Sequence, residues 1–187
     1  MKTIDSFRGK YFWLSNYFLS PVEFEKKWYP SVEHAYQAAK TIDKNIRKKI
    51  QRMTANEARL FGQTIPLIDN WNFIRIPIMF SLCKQKFMKH KDLQIKLKET
   101  ENAELIEGND YNDIFWGICN GIGENHLGKV LMQVRDDFAL YYWDQPKKID
   151  IVARCLSCNK NLPYEGLLHC PNCDEKSNID EYCLTNA

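Results

Sequence analysis

The chain predicts a mainly helical α+β domain followed by a small zinc-ribbon module, on three observations. Apolar residues recur at helical spacing through much of residues 32 to 141, and short stretches near 22–30 and 103–107 suit strands. After Trp143 the composition changes abruptly and cysteine dominates. At 187 residues and 22.1 kDa the chain suits one medium domain, 1–143, a polar connector at 144–151 containing Pro146, and a cysteine module at 152–187.

The elements follow in order. Residues 1–30 crowd Phe7, Tyr11, Phe12, Trp13, Tyr17 and Phe18 ahead of Pro21, and VEFEKKWYP alternates well enough for a strand or hairpin arm. Pro30 and Ser31 open a helix, because proline fits a first turn and a serine hydroxyl can cap free amides. A second helix runs from Asp43 to about Arg52 on Ile42, Ile46 and Ile50. Thr54-Ala55-Asn56-Glu57 is a capping-box pattern starting a third helix, with Gly62 as its terminator. Residues 71–90 read as the longest helix, in which Pro77 should place a kink or mark the true start. A helix from Asp92 to Thr100, a strand at Ala103–Glu107 and a helix from Asn125 to about Tyr141 complete the domain.

Composition excludes some classes. With 26 basic and 24 acidic residues the net charge is +2, so strong nonspecific nucleic-acid binding is not indicated. The cluster Arg47, Lys48, Lys49 and Arg52 reads as a solvated helix face or a phosphate contact. No apolar run approaches the ~20 residues of a membrane span, and MKTIDSFRGKYFW resembles no signal or transit sequence. The expectation is a cytoplasmic protein with no membrane partner.

The most informative stretch is WYPSVEHAYQAAK, residues 28–40. Glu33, Gln37 and Lys40, spaced four and then three apart, stack on one helical face among Ala35, Ala38 and Ala39, small residues that permit close packing. A polar stripe on a packed helix needs a partner or a substrate. A glycine-rich stretch, FWGICNGIGENHLG at 115–128, leads into the last helix. It lacks the dinucleotide fingerprint and reads either as a phosphate-binding turn or as a tight connection.

In the cysteine module, Cys155-Leu-Ser-Cys158 and Cys170-Pro-Asn-Cys173 have the spacing of two zinc knuckles. Four thiolates complete a tetrahedral shell for structural Zn2+ and leave no open position, so no catalytic metal is expected. Metal binding would also supply folding free energy to a segment with little core. His169 could replace one ligand, Cys183 reads as a spare thiol, and the acidic tail argues against DNA binding by this module alone.

Several motifs in series resemble one family. FWLSNY, SPVEFEKKWYPSVEHAYQAAK, the DNW ahead of a helix, KF at Lys86 and Phe87, NDIFWG and ENHLGKVLMQVR occur in the order expected of the NADAR family, the YbiA-like N-glycosidases. The resemblance covers roughly residues 4 to 142 and not the cysteine module. It implies a compact, mainly helical α+β fold and hydrolysis of a ribosyl–nitrogen bond. The implied substrate is a phosphorylated ribosylamine of riboflavin biosynthesis or ADP-ribose on guanine, the latter making a modified nucleic acid a partner. By the same resemblance Glu33 and Lys40 are catalytic candidates. Ser15 and Asn16 of LSNY, Gln37, Trp71, Trp116, Gly117, Asn125 and Gly128 are candidate substrate-binding positions. Some members carry an acid directly after the WG pair. This chain has Ile118 there, with Asp113 near in sequence.

The chemistry suits these residue types. Cleaving a ribosyl–nitrogen bond builds positive charge on the anomeric carbon, which a carboxylate such as Glu33 stabilises while activating water. The plain alternative is a helix-capping acid. Lys40 could form a Schiff base with the opened sugar if its pKa were lowered, or could simply pair with Glu33. Trp71 and Trp116 read as stacking surfaces or core residues, and His34 as a packed histidine on another face. A different functional class, an ADP-ribose or nucleotide binding module without catalysis, fits the same residues.

Overall fold

The computed structural model describes residues 2–144 and the backbone of three further strands, with side chains described through Phe138. The chain divides into two units, residues 1–139 and 140–187. Among the described residues no helix is long and apolar enough to cross a membrane.

The first unit is helix-rich α+β. After strand β1 (Thr3–Ile4) and a 3-10 turn at Gly9–Leu14, strands β2 (Val22–Phe24) and β3 (Lys27–Tyr29) form an antiparallel hairpin. Its two turn residues, Glu25 and Lys26, both take positive φ, 46° and 61°, the geometry that matches the right-handed twist of the arms. Helix α1 (Val32–Ala39) follows directly, and every residue in it is buried. Helices α2 (Lys44–Ile50), α3 (Ala55–Phe61) and α4 (Trp71–Lys89) pack around α1, which Ala35, Ala38 and Ala39 make slim enough to be surrounded. Asp43 caps α2 by accepting from the amides of Asn45 and Ile46, and Thr54 with Glu57 forms the complete capping box of α3. Pro77 lies inside α4 with its ring exposed, so the helix runs through it.

Helix α5 (Lys91–Lys98), strands β4 (Glu104–Leu105), β5 (Gly108–Asn109) and β6 (Ile118–Cys119), and helix α6 (His126–Asp144) complete the sequence of elements in this region. β1 pairs in parallel with β4, and β5 in parallel with β6. The core joins Leu14, Val22, Val32, Met79, Phe87, Leu105 and Leu131.

One local expectation needs correction. Ser31 occupies the N-cap of α1 but makes no side-chain cap, because its hydroxyl bonds His34 Nδ1 at 2.8 Å. Gly62 ends α3 as its place in the sequence suggests, at φ −65°, an ordinary right-handed conformation that does not itself require glycine.

In the second unit, β7 (Val152–Cys155), β8 (Asn161–Pro163) and β9 (Ile179–Cys183) form an antiparallel sheet in the order β8-β7-β9, with a register shift between Val152 and Arg154. Cys155 ends β7; Cys158, Cys170 and Cys173 lie outside the described residues.

Candidate active site

Helix α1 presents its polar stripe to a cavity of about 530 Å³. Glu33 sits in the first turn, and its amide donates to Asn16 O at 3.0 Å, which ties the helix start to the LSNY turn. Gln37 Nε2 donates to Glu33 Oε1 at 2.8 Å, while Gln37 Oε1 is buried without a partner. Lys40 Nζ donates to Gly62 O at 2.9 Å rather than pairing with Glu33. A Cβ at position 62 would overlap Gln37 Oε1, so glycine is needed there to leave room for the stripe itself.

Burial pushes Glu33 up to about 7, and the Gln37 hydrogen bond, Lys40 and Arg59 only partly offset it. Lys40 is lowered from its ordinary value by burial, against the pull of the Glu33 carboxylate. A carboxyl group poised near neutrality inside a cleft is suited to proton transfer.

Part of the lining is aromatic. The Tyr36 ring lies 5.1 Å from that of Trp71 and 5.3 Å from that of Trp116, and the Arg75 guanidinium sits 3.5 Å from the Phe115 ring centre. Arg8, Arg59 and Arg75 all reach the lining. Arg8 pairs with Asp110, whereas Arg59 and Arg75 have no carboxylate within ion-pair distance among the described residues. Glu107 and Asp113 also line the cavity. Asp113 Oδ1 accepts from the amides of Phe115 and Trp116 at 3.2 and 2.8 Å. Glu107 has a buried Oε2 without a partner and is pushed up to about 7 by burial, then by the nearby Asp113, with Arg8 opposing.

Of the positions singled out from sequence, Ser15, Asn16, Glu33, Gln37, Lys40, Trp71 and Trp116 meet at this cavity. Gly117, Asn125 and Gly128 do not line it. Asn125, at φ +53°, spends both ends of its side chain on backbone, donating to Leu105 O and accepting from Glu107 N. A Cβ on Gly117 would strike Glu107 O, and one on Gly128 would strike Leu105 O. The glycine-rich stretch is therefore a tight connection that clamps residues 105–107. Ile118 pairs with Gly108, beside Glu107.

Other candidates resolve as structure. His34 is buried, with Nδ1 facing Ser31 Oγ and Nε2 facing Met53 O, each at 2.8 Å; since a carbonyl only accepts, Nε2 carries a proton. Arg47 bonds the carbonyls of Ala38 and Thr41 and pairs with Glu25.

Sequence reasoning missed Tyr36, Glu107 and the three arginines. Tyr36 was within reach, since three residues after Glu33 falls on the same helical face. The others are isolated charges in unrelated segments, and no local pattern gathers them.

Comparisons agree on the relationship. The NADAR domain model matches residues 6–139. The N-glycosidase YbiA of Shigella sonnei is 34% identical over 130 residues, covering 67% of this chain and 81% of that protein. The riboflavin biosynthesis protein VVA0006 of Vibrio vulnificus is 31% identical over 129 residues, 66% of this chain and 35% of its own length. The NMR structure of the E. coli protein YbiA superposes with a TM-score of 0.70 at 29% identity, covering 79% of this chain and 92% of that one.

Proposed function

This chain belongs to the NADAR family, and on that premise we propose that its cavity hydrolyses the bond between a phosphorylated ribosyl group and nitrogen, with Glu33 activating the attacking water. One observation carries the assignment. Glu33 is a buried carboxyl group at about 7, held by a single amide side chain and facing a cavity large enough for a nucleotide-sized ligand.

As the C1′–N bond breaks, positive charge gathers on the anomeric carbon, and an ionised Glu33 beside it both stabilises that charge and draws a proton from water. Lys40 supports the ionised form of Glu33 electrostatically. Tyr36, Trp71 and Trp116 close one side against solvent, and the unpaired Arg59 and Arg75 supply positive charge for phosphate.

The substrate class is a ribosylamine phosphate of the kind met in riboflavin biosynthesis. The second substrate to test is ADP-ribosylated guanine in DNA, which the two unpaired arginines favour because a diphosphate carries more charge than one phosphate. Purified protein is incubated separately with ribosylaminopyrimidine 5′-phosphate and ADP-ribosylated guanine DNA. Ribose 5-phosphate should appear from the first, and Glu33→Gln should lose about 10²–10⁴-fold in kcat. Release from neither, with ADP-ribose still bound, would establish a binding module instead.

We propose further that Cys155, Cys158, Cys170 and Cys173 hold structural zinc. The support is their paired spacing and the end of β7 at Cys155. A four-thiolate shell supplies folding free energy and takes no part in hydrolysis. Protein prepared without chelator should carry about one equivalent of zinc, and less than about half an equivalent would sink the assignment.

A further inference from the structure

We propose that Glu107 is a second catalytic residue, whose carboxyl group delivers a proton to the leaving nitrogen while Glu33 takes one from water. This rests on the N-glycosidase reading above and adds the acid that reading lacks.

The placement of Glu107 is unusually well determined. Its amide donates to Asn125 Oδ1 at 3.1 Å, and its carbonyl accepts from Ile118 N at 2.9 Å. Gly117 lets the chain pass against that same carbonyl, and Asn125 fixes Leu105 two residues earlier. Gly128 makes room for the Leu105 carbonyl. Three positions of the tight connection thus serve to hold residues 105–107, from which the Glu107 side chain reaches the cavity that Glu33 also lines. There its Oε2 is buried with no partner in the protein.

The surroundings favour a protonated carboxyl group. Burial and the negative neighbours Asp113 and Glu33 disfavour charge on Glu107, and only Arg8, itself committed to Asp110, opposes them. Tyr111 also faces this group. Asp113 is already engaged, since its Oδ1 accepts from the amides of Phe115 and Trp116 at 3.2 and 2.8 Å, whereas Glu107 Oε2 has no partner. Glu33 and Glu107 line one cavity and burial pushes both up to about 7, so near neutrality one can hold a proton while the other is ionised, the arrangement that glycosidic cleavage with water requires.

The step balances. The Glu107 proton passes to the glycosidic nitrogen as the C1′–N bond breaks, its electron pair leaving with nitrogen. Water oxygen bonds C1′ and its proton passes to Glu33. The products are the free N–H base and the C1′ hydroxyl sugar phosphate. Solvent exchange then returns a proton to Glu107 and removes one from Glu33.

The test is the pH profile of kcat on ribosylaminopyrimidine 5′-phosphate for wild type, Glu107→Gln and Glu107→Asp. Wild type should give a bell, whose alkaline limb reports the loss of the Glu107 proton. Glu107→Gln should fall about 100-fold in kcat, keep KM within about threefold and lose the alkaline limb. Glu107→Asp should fall about tenfold and keep a limb, since a shorter acid still titrates. Wild-type kcat in Glu107→Gln, a persisting alkaline limb, or a raised KM with unchanged kcat would overturn the assignment. Should Glu107→Gln fail to fold by circular dichroism, wild-type kcat in Glu107→Asp overturns it. Wild type inactive on both this compound and ADP-ribosylated guanine DNA would instead remove the N-glycosidase reading, and this inference with it.

Discussion

Gly62 touches the polar stripe of α1 twice: the Gln37 side chain packs where its Cβ would be, and its carbonyl oxygen accepts the Lys40 ammonium at 2.9 Å. One residue beyond α3 therefore sets the positions of both polar neighbours of Glu33.

Replacing Gly62 by alanine should displace Gln37 and break its hydrogen bond to Glu33. That bond favours the ionised carboxylate, so its loss raises the Glu33 pKa further above about 7. Since the base must be ionised, the acid limb of kcat moves to higher pH, and activity at pH 6 should drop about tenfold. Gly121→Ala is the control. Gly121 has φ +79° and open space around a Cβ, so alanine there should cost about 1 kcal/mol of stability and leave the pH profile in place. An unmoved acid limb in Gly62→Ala would show that Gln37 does not tune Glu33.

Lys40→Met removes a cation that favours Glu33 ionisation, so the sign is the same: the acid limb rises, with a loss of about tenfold at pH 6 that shrinks as the pH rises. If water attacks the sugar as proposed, borohydride added during turnover should trap no covalent adduct on the wild-type protein. A mass increase localised to Lys40 would replace that route by a Schiff base.

Lys86 is a buried amine, donating to Ser15 O at 2.8 Å between the rings of Phe18 and Phe87, and burial brings it down to about 7. Below pH 7 both folded and unfolded chains hold this proton. Between about 7 and the ordinary lysine value of 10.5 the unfolded chain binds it more, so stability rises with pH across that window. The buried Cys83 thiol, pushed up to about 12, acts in the opposite sense above its ordinary value of 9.0, because the unfolded chain then releases a proton the folded one keeps. The urea midpoint should therefore climb from pH 7 to pH 9 and level off beyond. Lys86→Met should remove most of the climb, leaving the smaller part that the lowered Lys40 contributes; an undiminished climb in this variant assigns it to another group.

What the sequence disclosed followed the range of each signal. The α1 stripe, the hairpin and the Thr54–Glu57 box are contacts between residues a few positions apart, and local spacing predicts them. Gly62 was legible as the end of α3, but not the side chain on another helix, Gln37, that occupies the space beside it. Asn125, Gly117 and Gly128 were read as ligand positions, and the structure places them outside the cavity lining, against residues 105–107. Arg8, Arg59 and Arg75 converge only once the chain has folded, and each alone looks like any surface charge.

The parallel pairing of Thr3–Ile4 with Glu104–Leu105 joins segments roughly a hundred residues apart. Such a contact closes a long loop and must wait until most of the chain has been made. Helix α1 and the hairpin before it are local enough to assemble early, placing Glu33 while the ribosome is still working. The strand leading to Glu107 settles only after the ENHLG turn has emerged to grip it. The two carboxyl groups thus take their places at different stages of synthesis, Glu33 on local contacts and Glu107 only once residues 117–128 are available to grip its segment.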